Sequence, residues 1–561
     1  MRRTAAGLLL IAGLLPVDLA GVVVAQEAAD SSSDNGSALI DQSTLPTAIE
    51  SKGSRPQADP SVMPAAATTL PENLDALQAP PSLALPNQPD QVRIRELRPL
   101  TLSEVERLAE VNSPRLKAVA LEVRQAKANL RASISSWYPT LNLRANGLPQ
   151  YLASEQNFFD NDVSGTEEQE GRLTQLERTS ATFTAQLNWN LIDPARVPQI
   201  SAARDIFEKS RDSYLIALRQ LRLSVAQAYY DLQRYDEQVN VGKQSVMASV
   251  ISLRQARARF QAGVATKLEV LEAETQLSRD QDLLTNYLRL QSTARRNLAR
   301  ITDLPQDITP TAASPSRVVG LWEPSLQESI IAAYAFREEL DQFILDISIN
   351  NSNANAALAA VQPVLGIYNN FSTDRTEVSE FGEAETSYYE FGFDNAVGVS
   401  ATWNIFDGGR ARAQYRSNKL RAEASAYEFA NQRGAIRLEV EQSFYDLKAN
   451  QQTIRTASRA VISQREALRL ARLRFQAGVT TQREVVDNQR DLTRAQQTYV
   501  NAVADYNITI AELRRYTGLD QVVSCPALDL PADKAQPSAS EVVPIEPAPI
   551  IPACEASLLG S

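Results

Sequence analysis

Two periodicities alternate along the chain. Leu218, Leu221, Val225, Ala228, Leu232, Tyr235 and Val239 step by three and four, the spacing that keeps one helix face apolar and, when sustained, makes a coiled coil. Ile436, Val440, Leu447 and Ile454 repeat the pattern, with Ser443 and Asn450 interrupting. The first helix runs from about Pro194 to Arg259, broken after Pro198 only by Gly242. At 1.5 Å per residue it predicts a rod of roughly 100 Å, too long for one globular domain. Helices of about half that length are predicted over 101–135, 266–301, 325–360 and 480–516, so two short ones laid end to end flank each long one.

The second periodicity is two. In "TSATFTAQLNWNLID", Ala181, Phe183, Ala185, Leu187, Trp189 and Leu191 alternate with polar residues. In "AVGVSATWNIF", Val397, Val399, Ala401, Trp403 and Ile405 do the same. Each segment has roughly the ten residues of a transmembrane strand, and each apolar face carries a tryptophan near one end, Trp189 or Trp403, as at a membrane interface. Partner strands are predicted to begin after Pro139 and Pro363. The same alternation also fits a half-buried sheet in a soluble protein, and the N-terminus weighs against that reading. "MRRTAAGLLLIAGLLPVDLAGVVVAQ" has the form of a secretory signal, residues 1–25.

The periods belong to an internal duplication. "ARARFQAGVATKLEV" from Ala256 returns as "ARLRFQAGVTTQREV" from Ala471, about 215 residues on. "RLSVAQAYYDLQ" answers to "RLEVEQSFYDLK", and "WNLIDPAR" to "WNIFDGGR". The expected order is a signal peptide (1–25), a Pro/Ser-rich disordered linker (26–99), a first repeat of helix, strand pair and long helical hairpin (100–303), an inter-repeat linker (304–323), a second repeat (324–519) and a Pro-rich tail (520–561). The twice-used motif sits where each long helix ends. Gly263 or Gly478 supplies a C-cap. Thr266 with Glu269 forms a capping box, and Thr480 or Thr481 with Glu484 should form another.

Composition narrows the function. The chain has 67 acidic and 56 basic residues, scattered, and no histidine. No basic patch suggests a nucleic-acid partner. Without histidine no Ser/His/Asp, Cys/His or HExxH arrangement exists, so no catalytic residue, metal ligand or cofactor site is assigned and an enzyme is disfavoured. The two cysteines, Cys525 and Cys554, both lie in the tail, where an exported chain has the means to oxidise them to one disulfide.

Taken together, the duplication, the strand pairs entered at proline and the paired "RFQAGVxT…EV" tips resemble the TolC family of trimeric outer-membrane efflux channels, over about 100–518. The resemblance implies an α+β membrane protein in which a long coiled-coil α-helical barrel joins a 12-stranded transmembrane β-barrel, built by a trimer with four strands per chain. It implies an exit duct for drugs, small molecules or proteins in a tripartite efflux or type I secretion system, set in outer-membrane lipid with its tunnel in the periplasm. Its partners would be a periplasmic adaptor (membrane fusion) protein and an inner-membrane transporter of RND, ABC or MFS type. By position, Glu484 and Asp487, joined by Glu269 and Glu272, would form acidic rings at the periplasmic constriction. Phe475 and Thr480 stand where the best-known member has the tyrosine and arginine that tie its gate. Ala262, Gly263, Val264, Ala477, Gly478 and Val479 fall at the adaptor-docking tips. A soluble periplasmic coiled-coil protein and a passive porin are the alternatives.

Overall fold

The structure, a computed structural model, describes residues 66–158, 172–381, 386–519, 523–524 and Cys554. The expected signal segment, Cys525 and nearly all of the tail lie outside the described residues. Each repeat contributes two short helices, a strand pair and a hairpin of one long and one half-length helix. In the first these are α1 (Leu102–Asn112), α2 (Pro114–Ile134), β2 (Thr140–Phe158), β3 (Arg172–Ile192), α3 (Arg196–Gln261) and α4 (Lys267–Ile301). In the second they are α5 (Leu326–Phe336), α6 (Glu338–Ala359), β6 (Val364–Phe381), β7 (Thr386–Thr402), α7 (Arg410–Gln476) and α8 (Gln482–Thr517). Four short strands also lie among the described residues: β1 (Glu96–Leu100), β4 (Ile308–Ala312) and β5 (Gly320–Leu321), the last paired with β8 (Val523–Ser524).

The long helices have 66 and 67 residues, so each spans about 100 Å. Gly242 continues α3, and a Cβ there would press within 3.3 Å of Leu284 and Tyr287, so the glycine lets α4 lie close. The single helices expected over 101–135 and 325–360 are each two. In the first, Pro114 removes a backbone donor and pushes Ser113 out of the helical region, to ψ 116°. In the second no proline marks the break. Arg337 takes ψ 116° with its guanidinium held among Glu339 and Glu439.

The strands form one antiparallel sheet in the order β2-β3-β6-β7, with β2 and β7 at its edges. They are longer than the ten residues expected, 17 to 21. The expected second strand is also shifted, because β7 ends at Thr402 and leaves Trp403 and Ile405 beyond it. Register places Leu141, Leu143 and Ala145 opposite Leu187, Ala185 and Phe183, and Ile367 between Trp189 and Val399. These residues share one face, while Asn142, Gln186, Asn370 and Ser372 line the other.

The disordered linker expected over 26–99 is corrected from residue 66 onward. Leu74 and Leu77, each 1% exposed, pack with Val105, Leu108 and Tyr229 in the main core. The Asn112 amide donates to the Leu77 carbonyl at 2.9 Å, and β1 pairs in parallel with β4. The inter-repeat stretch is likewise packed: Val318 and Trp322 are buried with Ile454, Tyr506 and Leu513.

Candidate functional site

Both tips are built the same way at first. Gly263 and Gly478 have φ of +76° and +75°, a conformation that costs any residue with a Cβ. Val264 N–H donates to the Arg259 carbonyl and Gly263 N–H to that of Phe260. Val479 with Arg474, and Gly478 with Phe475, repeat the pattern. This is the Schellman closure. Ala262, Gly263, Val264, Ala477, Gly478 and Val479 are all exposed. A Cβ on either glycine would meet nothing within 4 Å.

The capping boxes differ. Thr266 and Glu269 form theirs as expected. The second does not form: α8 is capped at Thr481 without a side-chain bond. Glu484 instead accepts from the Thr480 hydroxyl and pairs with Arg474 at 2.7 Å. One turn on, Asp487 pairs with Arg490 at 3.2 Å. Glu269 and Glu484 hold the same place in the first turns of α4 and α8, and Glu272 and Asp487 follow each by three residues. No trio of acidic or cysteine side chains among the described residues gathers as a metal site would.

Phe475 is 4% exposed. The Arg259 guanidinium lies 4.3 Å from its ring centre and donates to its carbonyl at 2.8 Å. Arg259 was visible in sequence only as a repeated residue, and Arg474 as its counterpart. Above this contact the hairpins meet through a polar seam. Gln227 bonds Glu512, Arg234 bonds Asp505, Gln238 bonds Asn501, Ser245 bonds Thr493 and Gln482 bonds Ser252. The α3 partners recur by seven with one step of four, so they line one helical stripe. Inside each hairpin apolar contacts, such as those of Val461, Leu468, Phe475, Val485 and Leu492, stand beside polar ones such as Ser249 with Asp280 and Asn450 with Thr509. A cleft of about 450 Å³ opens between the hairpins near the tips, lined by Met247, Ser252, Arg472, Phe475 and Val486.

At the opposite end, the apolar sheet face is exposed at Leu141, Leu143, Phe183, Trp189, Phe391, Phe393, Val397 and Val399. Trp189 donates its indole N–H to the Trp137 carbonyl at 3.0 Å, and Trp403 donates to that of Val361 at 3.1 Å. Each tryptophan therefore ties strand exit to the end of the preceding helix. Between sheet and tips a buried ion network joins four helices. Arg337 contacts Glu339 and Glu439, Arg515 contacts Glu339 at 2.6 Å, and Arg219 contacts Glu338 at 3.0 Å. Burial alone would raise the Glu339 pKa, but Arg337 and Arg515 outweigh it and hold the carboxyl down at about 2. Arg337, Glu338 and Glu339 are consecutive in the sequence, but Arg219, Glu439 and Arg515 lie far from them along the chain, so the sequence does not show the pairing. In the tail, Cys554 is buried and disulfide-bonded.

Comparison with known proteins places this architecture. The family profile described as "Outer membrane efflux protein" matches residues 106–303 and 332–519. The chain is 22% identical over 429 residues to the outer membrane protein TolC of Vibrio cholerae, covering 74% of this chain and 90% of that protein. It is 24% identical over 427 residues to the pyoverdine export outer membrane protein OpmQ of Pseudomonas putida, covering 75% and 86%. Among solved structures, the outer membrane protein VceC of Vibrio cholerae superposes with a TM-score of 0.59 at 16% identity, covering 74% of this chain and 96% of that one.

Proposed function

The chain belongs to the outer membrane efflux protein family, and we propose from that premise that three copies close into one duct. The protein is an outer-membrane exit duct of an efflux or secretion system and not an enzyme. The observation that carries the finer reading is a four-stranded sheet, apolar and exposed on one face and polar on the other, joined to rods of 66 and 67 residues.

Lipid offers no hydrogen bonds, so a sheet within it must have no free edge. Three sheets joined β7 to β2 close at twelve strands. Their apolar faces turn to lipid, their polar faces line the lumen, and Trp189 and Trp403 mark the interface. The rods carry the lumen into the periplasm. At their ends Ala262, Gly263, Val264, Ala477, Gly478 and Val479 receive a periplasmic adaptor, and an inner-membrane transporter of RND, ABC or MFS type supplies the energy. Glu484, Asp487, Glu269 and Glu272, three of each, give the constriction a negative potential that favours cations. The gate rests on Arg259 holding Phe475 and on Thr480 and Arg474 holding Glu484. A soluble coiled-coil protein would leave the apolar sheet face without a purpose.

Single-channel recording of the detergent-purified protein in a planar bilayer tests this. Small cation-selective openings are expected, with selectivity lost in Glu484→Gln combined with Asp487→Asn. An unselective or anion-selective wild-type channel would remove the acidic constriction from the account.

A further inference from the structure

The contact between the two tips is made of halves that occur twice and are used once. Arg259 of the first tip grips Phe475 of the second. The repeat supplies the same two residues again, as Arg474 and Phe260. In the single chain they do not meet each other. Phe260 is 45% exposed, and the Arg474 side chain, more than half exposed, pairs with the Glu484 carboxylate, an exposed ion pair and so a weak restraint.

The surroundings follow the same rule. The α3 face that carries the polar seam corresponds in the second repeat to Ala449, Thr453 and Ala460 of α7. The α8 face that receives it corresponds to Leu290, Asn286 and Ser278 of α4. None of these six is buried in the single chain. The first repeat thus docks on the second through one face, and the equivalent faces, α7 of the second and α4 of the first, are left uncovered among the described residues. The sheet agrees, since β3 joins β6 at the inner junction while β7 and β2 are left as edges. Joining β7 of one copy to β2 of the next keeps the antiparallel order.

We infer that Arg474 of one chain stacks on Phe260 of a second copy, repeating the Arg259–Phe475 grip between chains. The inference rests on the ring proposed above. It makes the tips of an assembled ring equivalent, six grips in place of three, and explains why an aromatic ring is kept at residue 260 where the single chain leaves it wet.

Cysteine pairs read this directly. In protein extracted from the outer membrane, Arg474→Cys with Phe260→Cys, treated with a short bis-maleimide, should give covalent two- and three-chain species on a denaturing gel. Arg259→Cys with Phe475→Cys should give one-chain product only, and the wild-type chain none. An assembled oligomer in which the 474/260 pair yields no interchain product would overturn the grip. A native mass of one chain would instead overturn the ring beneath it. Exchanging the partners, Arg474→Phe with Phe260→Arg, should restore the denaturant resistance of the oligomer that each single change lowers. An exchange no better than the singles also counts against the grip.

Discussion

Phe260 and Phe475 stand at the same place in two tips that share the letters RFQAGV, yet one is 45% exposed and the other 4%. The same contrast runs through their neighbours. Glu269 closes its own helix end, whereas Glu484 is drawn to Arg474 and Thr480. Identical local sequence gives identical local backbone, as the two glycines at φ near +75° show. What differs is the neighbour: Phe475 of the second tip has Arg259 of the first against it, whereas no described residue covers Phe260 to the same degree. The difference therefore measures how much of the molecule is completed by something outside one polypeptide.

The largest expected effect comes from where the repeats are welded, away from both tips. Glu339→Gln removes the carboxylate that buried Arg337 and Arg515 share, while Arg337 keeps Glu439, and should cost about 3–5 kcal/mol, read as a fall in unfolding temperature of the detergent-solubilised protein. The sign with pH follows. A carboxyl ordinarily near 4.5 and held near 2 in the fold stabilises it fully above the ordinary value. That contribution is lost as pH falls from about 4.5 towards 2. The variant should lose this part of the acid sensitivity, and an unchanged acid profile would show that the network is not linked to folding.

Phe475→Ala sharpens the contrast. It removes a ring buried under Arg259 and should cost about 3–5 kcal/mol, seen as faster hydrogen exchange at the second tip. Phe260→Ala should slow nothing and speed little in an unassembled chain, and approach the Phe475 effect only in the assembled protein. Equal effects in both states would erase the comparison.

Gly263→Val and Gly478→Val should each cost about 1–2 kcal/mol through backbone strain alone, because nothing crowds either position. With equal stability costs, unequal loss of efflux in cells would show which tip the adaptor uses more. Folded variants with wild-type export would remove docking from both. The smallest effect separates the two glutamates. Glu269→Gln keeps a residue able to serve the capping box, while Glu484→Gln loses an exposed ion pair worth about 0–1 kcal/mol.

Much of this fold was legible because its signals are local and periodic. Strand starts after Pro139 and Pro363, the long helices and the glycine closures follow from spacing and turn chemistry, and the duplication let each copy check the other. The break at Pro114 was also written there, in a proline that the helical reading passed over. The break at Arg337 was not, because no proline marks it and its contacts include Glu439, 102 residues away. Leu74 and Leu77 lie in a polar stretch with no period, so their place in the core follows only from contact with α1 and α3. Glu484 failed as a capping residue because Arg474, ten residues upstream, competes for it. The unequal fates of Phe260 and Phe475 have no local signal at all, since their own letters are the same.

The account's central claim is that one chain is a third of the working molecule. Native mass spectrometry of protein extracted from the outer membrane in mild detergent tests it most directly. The account predicts the mass of three chains, with loss of solubility when detergent is removed. A single chain that stays folded and soluble without detergent would contradict it.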